Sequence, residues 1–216
     1  MASIISFTFN AFYENTYVIY DRTGACVIVD PGCYDRAEED DLVDAISKKG
    51  LKPALLLNTH CHVDHVLGNK FVSDTYQIPL VMHRGELPIL QNVVNYAPSM
   101  GLRYRPSPDP ERFVVDGDTI TFGETTLDVL YTPGHSPASV CFYCKADNFI
   151  VSGDVLFHDS IGRTDLPGGS MPTLMHSIRT KLMNLPDETK VYAGHMQSTT
   201  IGRERLHNPF LTGTYA

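Results

Sequence analysis

Leu55-Leu56-Leu57-Asn58-Thr59-His60-Cys61-His62-Val63-Asp64-His65 is the stretch on which the reading of this chain turns. The leucines make a short buried strand, and three imidazoles and a carboxylate follow within the next few residues. Such donors suit zinc, manganese or iron. In an extended segment, residues two apart point the same way, so His60 and His62 can share one ion. Beyond them a helix begins, where Asp64 suits the helix dipole and can turn with His65 toward a second ion. A polar loop that merely happens to be rich in histidine is the alternative, but buried imidazoles would need partners in any case.

Further along, the pattern recurs. Leu130-Tyr131-Thr132-Pro133-Gly134 leads to His135, Ile150-Val151-Ser152-Gly153 to Asp154, and Val191-Tyr192-Ala193-Gly194 to His195. A glycine before each lets the backbone turn sharply and bring the side chain close to a shared centre. Side chains at the ends of neighbouring strands converge on one rim, where a scaffold holds them rigidly. Any one of these three alone would be read as a surface or core residue. Together with the cluster they complete a set of His60, His62, Asp64, His65, His135, Asp154 and His195. That set is too large for one ion and right for two divalent transition-metal ions with Asp154 bridging. Zinc is the first expectation, and iron or manganese also fit.

The rest of the chain supplies a scaffold. Apolar runs at 18–20 and 26–29 flank Asp21-Arg22-Thr23-Gly24 as a hairpin. Asp35 and Glu38 form a capping box for a helix with Leu42, Val43 and Ile46 on its apolar face, stopped by Lys48, Lys49 and Gly50. Leu67 and Phe71 suggest a helix before a strand at 80–82. Pro98, Pro106, Pro108 and Pro110 make 96–112 a long surface loop. Ile120 and Phe122, then Leu127, Val129 and Tyr131, alternate as a second hairpin, with further strands at 140–143, 149–151 and 190–193. Leu174, Ile178 and Leu182 predict an amphipathic helix over 172–185. The sum is an α+β chain of two mostly antiparallel sheets with helices outside, one domain over 1–216.

A chain of 216 residues buries enough surface to fold without a structural metal, so a metal site calls for a functional explanation. With 17 basic and 25 acidic residues the net charge is −8, a poor match for nucleic acid. No stretch is long enough to span a membrane. Asn10, Glu14 and Asn15 interrupt the apolar N-terminus, and no basic residue precedes Arg22, so no signal peptide is read there. Five cysteines without framework spacing read as a reduced, cytoplasmic protein. The expected partner is a small molecule, not a nucleic acid or a membrane, and the oligomeric state is left open.

The HxHxDH cluster, the His of Thr132-Pro133-Gly134-His135, the Asp of Ser152-Gly153-Asp154 and the late Gly194-His195, in this order, resemble the metallo-β-lactamase superfamily through nearly the whole chain. The resemblance implies a four-layer αββα sandwich with the metals at one edge. It assigns His60, His62 and His135 to one ion, Asp64, His65 and His195 to the other, and Asp154 to both. Asp30, in Asp30-Pro31-Gly32, is similar to the family's carboxylate that orients a ligand histidine; on the bare sequence it reads equally well as a turn residue. The true β-lactamases of the family carry Cys where this chain has Asp154 and lack the His after Asp64. Its di-iron flavoproteins carry Glu in place of His62, and its nucleases carry extra RNA-binding parts.

Gly153-Asp154-Val155-Leu156-Phe157 and Gly162-Arg163-Thr164-Asp165 resemble the branch of glyoxalase II hydrolases and persulfide dioxygenases. Gly202-Arg203-Glu204-Arg205 and Asn208-Pro209-Phe210 resemble the short, single-domain glyoxalase II-like enzymes. Full-length glyoxalase II continues into a helical domain that helps hold glutathione, whereas this sequence stops soon after Phe210, so the thiol half of the substrate is left open. The resemblance implies hydrolysis of a thioester such as S-lactoylglutathione. In that reading a metal-bridging hydroxide, available near neutral pH, would attack the carbonyl, with Asp64 chiefly a ligand and also able to orient the hydroxide. A thiolate then leaves without an obligatory general acid. Two alternatives stand beside it. A mononuclear iron persulfide dioxygenase would use only His60, His135 and Asp154, and a non-catalytic metal-binding protein would use the set as a sensor.

The remaining reactive residues read more plainly. Cys141 and Cys144 lie three apart on a strand and so face opposite sides, against a redox or zinc site. Cys61, the odd residue between two ligands, should point away from the metals. His83, His176 and His207 read as surface or structural residues, while His158 can border the substrate pocket. Arg163 and Asp165 read as an ion pair beneath the site. Arg103, Tyr104 and Arg105 in the proline-rich loop are substrate-binding candidates or merely solvated.

Overall fold

The computed structural model describes residues 1–213; the last three residues of the expected 1–216 domain lie outside the described residues. Contacts group the chain into two compact units. One comprises residues 1–114 with 121–125, and the other 115–120 with the chain from Thr126 onward.

The first unit carries a six-stranded sheet in the order β1 (Ser3–Phe9), β2 (Glu14–Tyr20), β3 (Ala25–Val29), β4 (Lys52–Leu57), β5 (Leu80–His83), β6 (Arg112–Val114). β2 and β3 form the expected hairpin, pairing Tyr17 with Val29 through Tyr20 with Cys26. β3–β4, β4–β5 and β5–β6 are parallel, so this sheet is mixed where a mostly antiparallel one was expected. The reason is the connections. Helix α1 (Arg36–Lys48) separates β3 from β4, while α2 (Val63–Val66) and α3 (Asn69–Tyr76) separate β4 from β5, and a strand returning through a helix runs parallel.

α1 starts where Asp35 accepts hydrogen bonds from Ala37 N and Glu38 N at 2.9 and 3.0 Å. The other half of the expected capping box does not form. The Glu38 carboxylate accepts from Asn10 N (2.6 Å) and Tyr34 N (2.7 Å) and ties two loops to the helix. Leu42 and Ile46 are buried with Val18, Ile28, Leu56 and Met82 in this unit's core. Residues 121–125 belong here because Asp21 accepts from Glu124 N (2.6 Å) and Thr125 Oγ1 (3.1 Å) as well as from Thr23 N (2.9 Å). Burial pushes the Asp21 carboxyl up, but these bonds outweigh it and hold it down at about 2.

The second sheet runs β14 (Thr199–Thr200), β13 (Lys190–Ala193), β10 (Phe149–Gly153), β9 (Val140–Cys144), β8 (Thr125–Tyr131), β7 (Thr119–Phe122). β8–β9, β9–β10 and β13–β14 are antiparallel and β10–β13 is parallel. The helix expected over 172–185 is α5 (Met171–Ser177) followed by a wider π turn over Ile178–Leu182, closed by Met183 N to Ile178 O at 2.9 Å. The wide turn keeps Leu174, Ile178 and Leu182 on one buried face, packed with Cys141, Ile150 and Val191.

Helix α6 (Ile201–His207), followed by a single turn at Pro209–Thr212, carries a polar knot. Glu204 is fully buried and accepts from Asp159 N, Asn208 Nδ2 and Arg203 Nη1 at 2.9, 2.9 and 2.8 Å. Asn208 Nδ2 also donates to Ser160 O at 2.9 Å. Among the described residues, no helix is long and apolar enough to cross a membrane.

Candidate metal centre

In the first unit, β4 runs out through Asn58 and Thr59 into the ligand cluster. Its neighbour β3 leads into Asp30, whose φ of 48° makes it a turn residue as well as a carboxylate aimed at that cluster. Asp30 Oδ1 accepts from Thr59 N at 2.7 Å, Oδ2 accepts from the Thr59 hydroxyl, and His65 Nδ1 lies 3.2 Å from Oδ2. Since the Thr59 hydroxyl donates to Asp30, it accepts from His60 Nδ1 at 3.1 Å. Both rings therefore carry their lone pairs on Nε2, the form that binds a metal. The His60 ring centroid lies 4.8 Å from that of His62 and 4.1 Å from that of His65. His62 is the N-cap of the single-turn helix α2, so Asp64 and His65 do sit in its first turn. His65 Nε2 is 3.6 Å from Asp64 Oδ2.

In the second unit, His135 follows β8, Asp154 follows β10 and His195 follows β13. Gly134 and Gly153 take φ of 131° and 50°, the turns expected of them. His135 Nδ1 donates to Arg163 O at 2.8 Å, which leaves Nε2 as its metal-binding nitrogen. Asp154 Oδ2 lies 3.4 Å from His135 Nε2 and 3.5 Å from His195 Nε2. Donors about 2.0–2.1 Å from a tetrahedral ion stand roughly 3.3 Å apart. The separations around Asp154 and between Asp64 and His65 match that spacing, and the tautomers present the right atoms. In each unit, His and Asp donors thus stand at the spacing of metal ligands.

Several residues at these clusters escaped the sequence reading. Glu14 is fully buried, and its Oε1 lies 3.8 Å from His65 Nδ1. Burial pushes its carboxyl well above the usual range, though His65 draws it back. An acid inside the apolar pattern of β2 was the available signal. Glu86 accepts from Cys61 N at 3.0 Å, and Asn10 Nδ2 donates to Asp64 O at 3.1 Å.

Of the substrate-binding candidates, Arg105 pairs with Glu39 and lies over the Phe71 ring, so its charge is already engaged. Arg103 is exposed, and its N–H donates to Tyr34 OH at 2.9 Å. Tyr104 lines a cavity of about 230 Å³ with Leu87, Leu90, Val94 and Ser107. His158 Nδ1 lies 3.1 Å from Asp159, whose carboxylate takes both ends of Arg203. Arg163 and Asp165 do pair, at 2.7 Å through both oxygens, with both side chains exposed to solvent.

Cys61 is buried in the first core, with Sγ 3.9 Å from Met82 Sδ. Cys141 Sγ lies 3.2 Å from Thr132 Oγ1, whereas Cys144 Sγ lies 3.8 Å from Asp147 Oδ2, so the pair does point apart. Cys141→Ser and Cys144→Ser are accordingly expected to leave metal content and turnover nearly unchanged. A Cys141–Cys144 disulfide in the mass spectrum of the native protein would contradict the strand geometry.

A family model described as the metallo-beta-lactamase superfamily matches residues 10–195. The chain is 39% identical to the "Probable metallo-hydrolase YqgX" of Bacillus subtilis, covering 87% of this chain and 88% of that one. It is 34% identical to the "Hydroxyacylglutathione hydrolase GloC" of Haemophilus influenzae, covering 93% and 94%. Among solved structures, the B3 metallo-β-lactamase BLEG-1 superposes with a TM-score of 0.88 at 38% identity, covering 99% of this chain and all of that one. TTHA1623 in a di-iron-bound form gives 0.86 at 36% identity, covering 96% of this chain and all of that one. The α+β fold of the metallo-β-lactamase type is thereby established.

Proposed function

The chain belongs to the metallo-β-lactamase superfamily and is a metal-dependent hydrolase, and from that premise we propose that it hydrolyses thioesters at a dinuclear centre. His60, His62 and His135 would hold one ion and Asp64, His65 and His195 the other, with Asp154 common to both. The observation that carries this is Asp154 Oδ2 standing 3.4 and 3.5 Å from two imidazole Nε2 atoms. Likeness to GloC supports the thioester and, within it, a hydroxyacyl-glutathione. TTHA1623 keeps iron beside zinc as the metal.

Two divalent ions would supply a water of lowered pKa and a Lewis acid for the carbonyl oxygen. The protein's part is orientation. Asp30 and the Arg163 carbonyl fix the tautomers of His65 and His135. Asp64, next to His65, would serve as a ligand and would also accept a hydrogen bond from the attacking water. The thiol of the leaving group has a pKa of about 8.5, so it departs as thiolate with no acid from the chain. The substrate is a small molecule, not a nucleic acid or a membrane surface. Five cysteine thiols outside any disulfide suit a reducing cytoplasm.

Likeness to BLEG-1 favours a second reading, opening of a β-lactam ring, by the same water on a cyclic amide. The deciding assay compares S-lactoylglutathione, simpler thioesters and a β-lactam under strict anaerobiosis, with glutathione persulfide in an oxygen electrode. Thioester hydrolysis is expected to be undiminished without oxygen, faster than β-lactam hydrolysis and abolished by chelator. Persulfide-driven oxygen uptake with negligible thioester turnover would establish the mononuclear iron dioxygenase instead. Bound metal with no turnover at all would leave a metal-binding protein.

A further inference from the structure

We propose that two residues which hold no metal, Glu86 and Asn10, clamp the ligand turn 60–65, and that each governs the affinity of a different ion. The proposal rests on the two-ion reading above. Glu86 is fully buried immediately before α4 (Leu87–Tyr96), and its Oε2 accepts from Cys61 N at 3.0 Å. Cys61 lies between His60 and His62, and its side chain is buried against Met82. Holding its N–H therefore fixes the extended stretch that aims those two rings.

Asn10 grips the other end. Its Nδ2 donates to Asp64 O at 3.1 Å and to Gly32 O at 3.0 Å, while Oδ1 accepts from Phe12 N at 2.9 Å. α2 is one turn long. The N–H that would continue its ladder onto Asp64 O is that of Gly68, which donates to Pro31 O at 2.7 Å, and the Asn10 amide takes its place. The approach is tight. A Cβ on Gly32 would lie 2.7 Å from Asn10 Nδ2 and 2.8 Å from Asp64 O. Asn10 thus sets the turn that directs Asp64 and His65, and Glu86 the stretch that directs His60 and His62. Loss of a group that orients ligands lowers metal affinity about 10–100-fold.

The test titrates chelator-stripped protein with Zn²⁺ by calorimetry and with Co²⁺ by visible absorption, with thermal unfolding of the same apo samples. His62→Ala and His65→Ala serve as references that each lack one ion. Glu86→Ala is expected to weaken the His60/His62 ion about 10–100-fold and spare the other. Asn10→Gly is expected to do the reverse; Asn10 has a φ of 51°, so glycine removes the amide without backbone strain. Glu86→Gln keeps an acceptor and should retain wild-type affinity. Asn10→Asp loses the donors and should behave as Asn10→Gly. Equal weakening of both ions by one variant, unaltered affinities, or losses that track a lowered apo Tm would overturn the proposal. Uptake of one ion by the wild type refutes the two-ion reading instead, and the clamps are then judged on that ion, which must weaken in one variant and not the other.

Discussion

Asp154→Ala is expected to lower thioester turnover about a thousandfold or more, some 4 kcal/mol of transition-state stabilisation, and to lose at least one metal ion per chain. Asp154 is 8% exposed, and one of its oxygens stands between two imidazole nitrogens. In the two-ion reading it is the one ligand common to both ions, and two cations brought together without a shared anion repel. Elemental analysis of protein purified without chelator, beside kcat, makes the measurement, and circular dichroism confirms that the variant folds. Wild-type turnover with a full metal complement would remove Asp154 from the site.

Gly162→Ala is expected to disrupt both the fold and the ligands. A Cβ there would lie 1.8 Å from Asp154 O and 3.0 Å from both Asp154 C and His135 Nδ1. The obstacle is mostly backbone and cannot swing aside, so the strand β12 (Ser160–Ile161), or the ligands, must move. Overpacking on this scale costs about 3 kcal/mol or more, which lowers Tm by roughly 6–12 °C in a chain of this size. Metal uptake should fall with it, because the two groups displaced belong to ligands. A variant with unchanged Tm and metal content would show that the backbones are not in contact. Gly162 belongs to a family-like motif, and its close approach to Asp154 supplies the physical reason for it.

The sequence made the ligand cluster legible because its signal is local. Imidazoles, carboxylate, strand end and helix start all lie within ten residues of Leu57, and the ends of β8, β10 and β13 repeat the theme. The β2–β3 hairpin and the buried faces of α1 and α5 were legible for the same reason, since period and punctuation sit in one short window. What was not legible is pairing at a distance. The parallel partners of β4 and β5 are chosen by crossovers, and a run such as Leu55-Leu56-Leu57 reads alike in either direction. Strand β1 shows its alternation only weakly, as its residues are mostly half-buried or exposed. Helix α4, which begins just after Glu86, was not expected from the sequence.

Charged residues were the hardest to place. Glu38 looked like the second half of a capping box and serves two loops instead. Arg105 reads from its loop as either a substrate contact or a solvated charge, and the fold gives it Glu39 as a partner. A charge can be satisfied by any partner that folding brings near, and one-dimensional spacing does not name that partner.

The knot around Glu204 bears on how the chain is made. A ribosome adding about 5–20 residues per second delivers Glu204 several seconds or more after His60. A chain stalled just before Thr199 already carries every histidine and aspartate assigned to the metals. It still lacks the carboxylate that takes the Asp159 N–H and the amide that reaches Ser160 O. Backbone groups left unmet in that way cost about 1–3 kcal/mol each once buried. A nascent chain can therefore hold its full set of ligands before the unit that carries three of them is able to close.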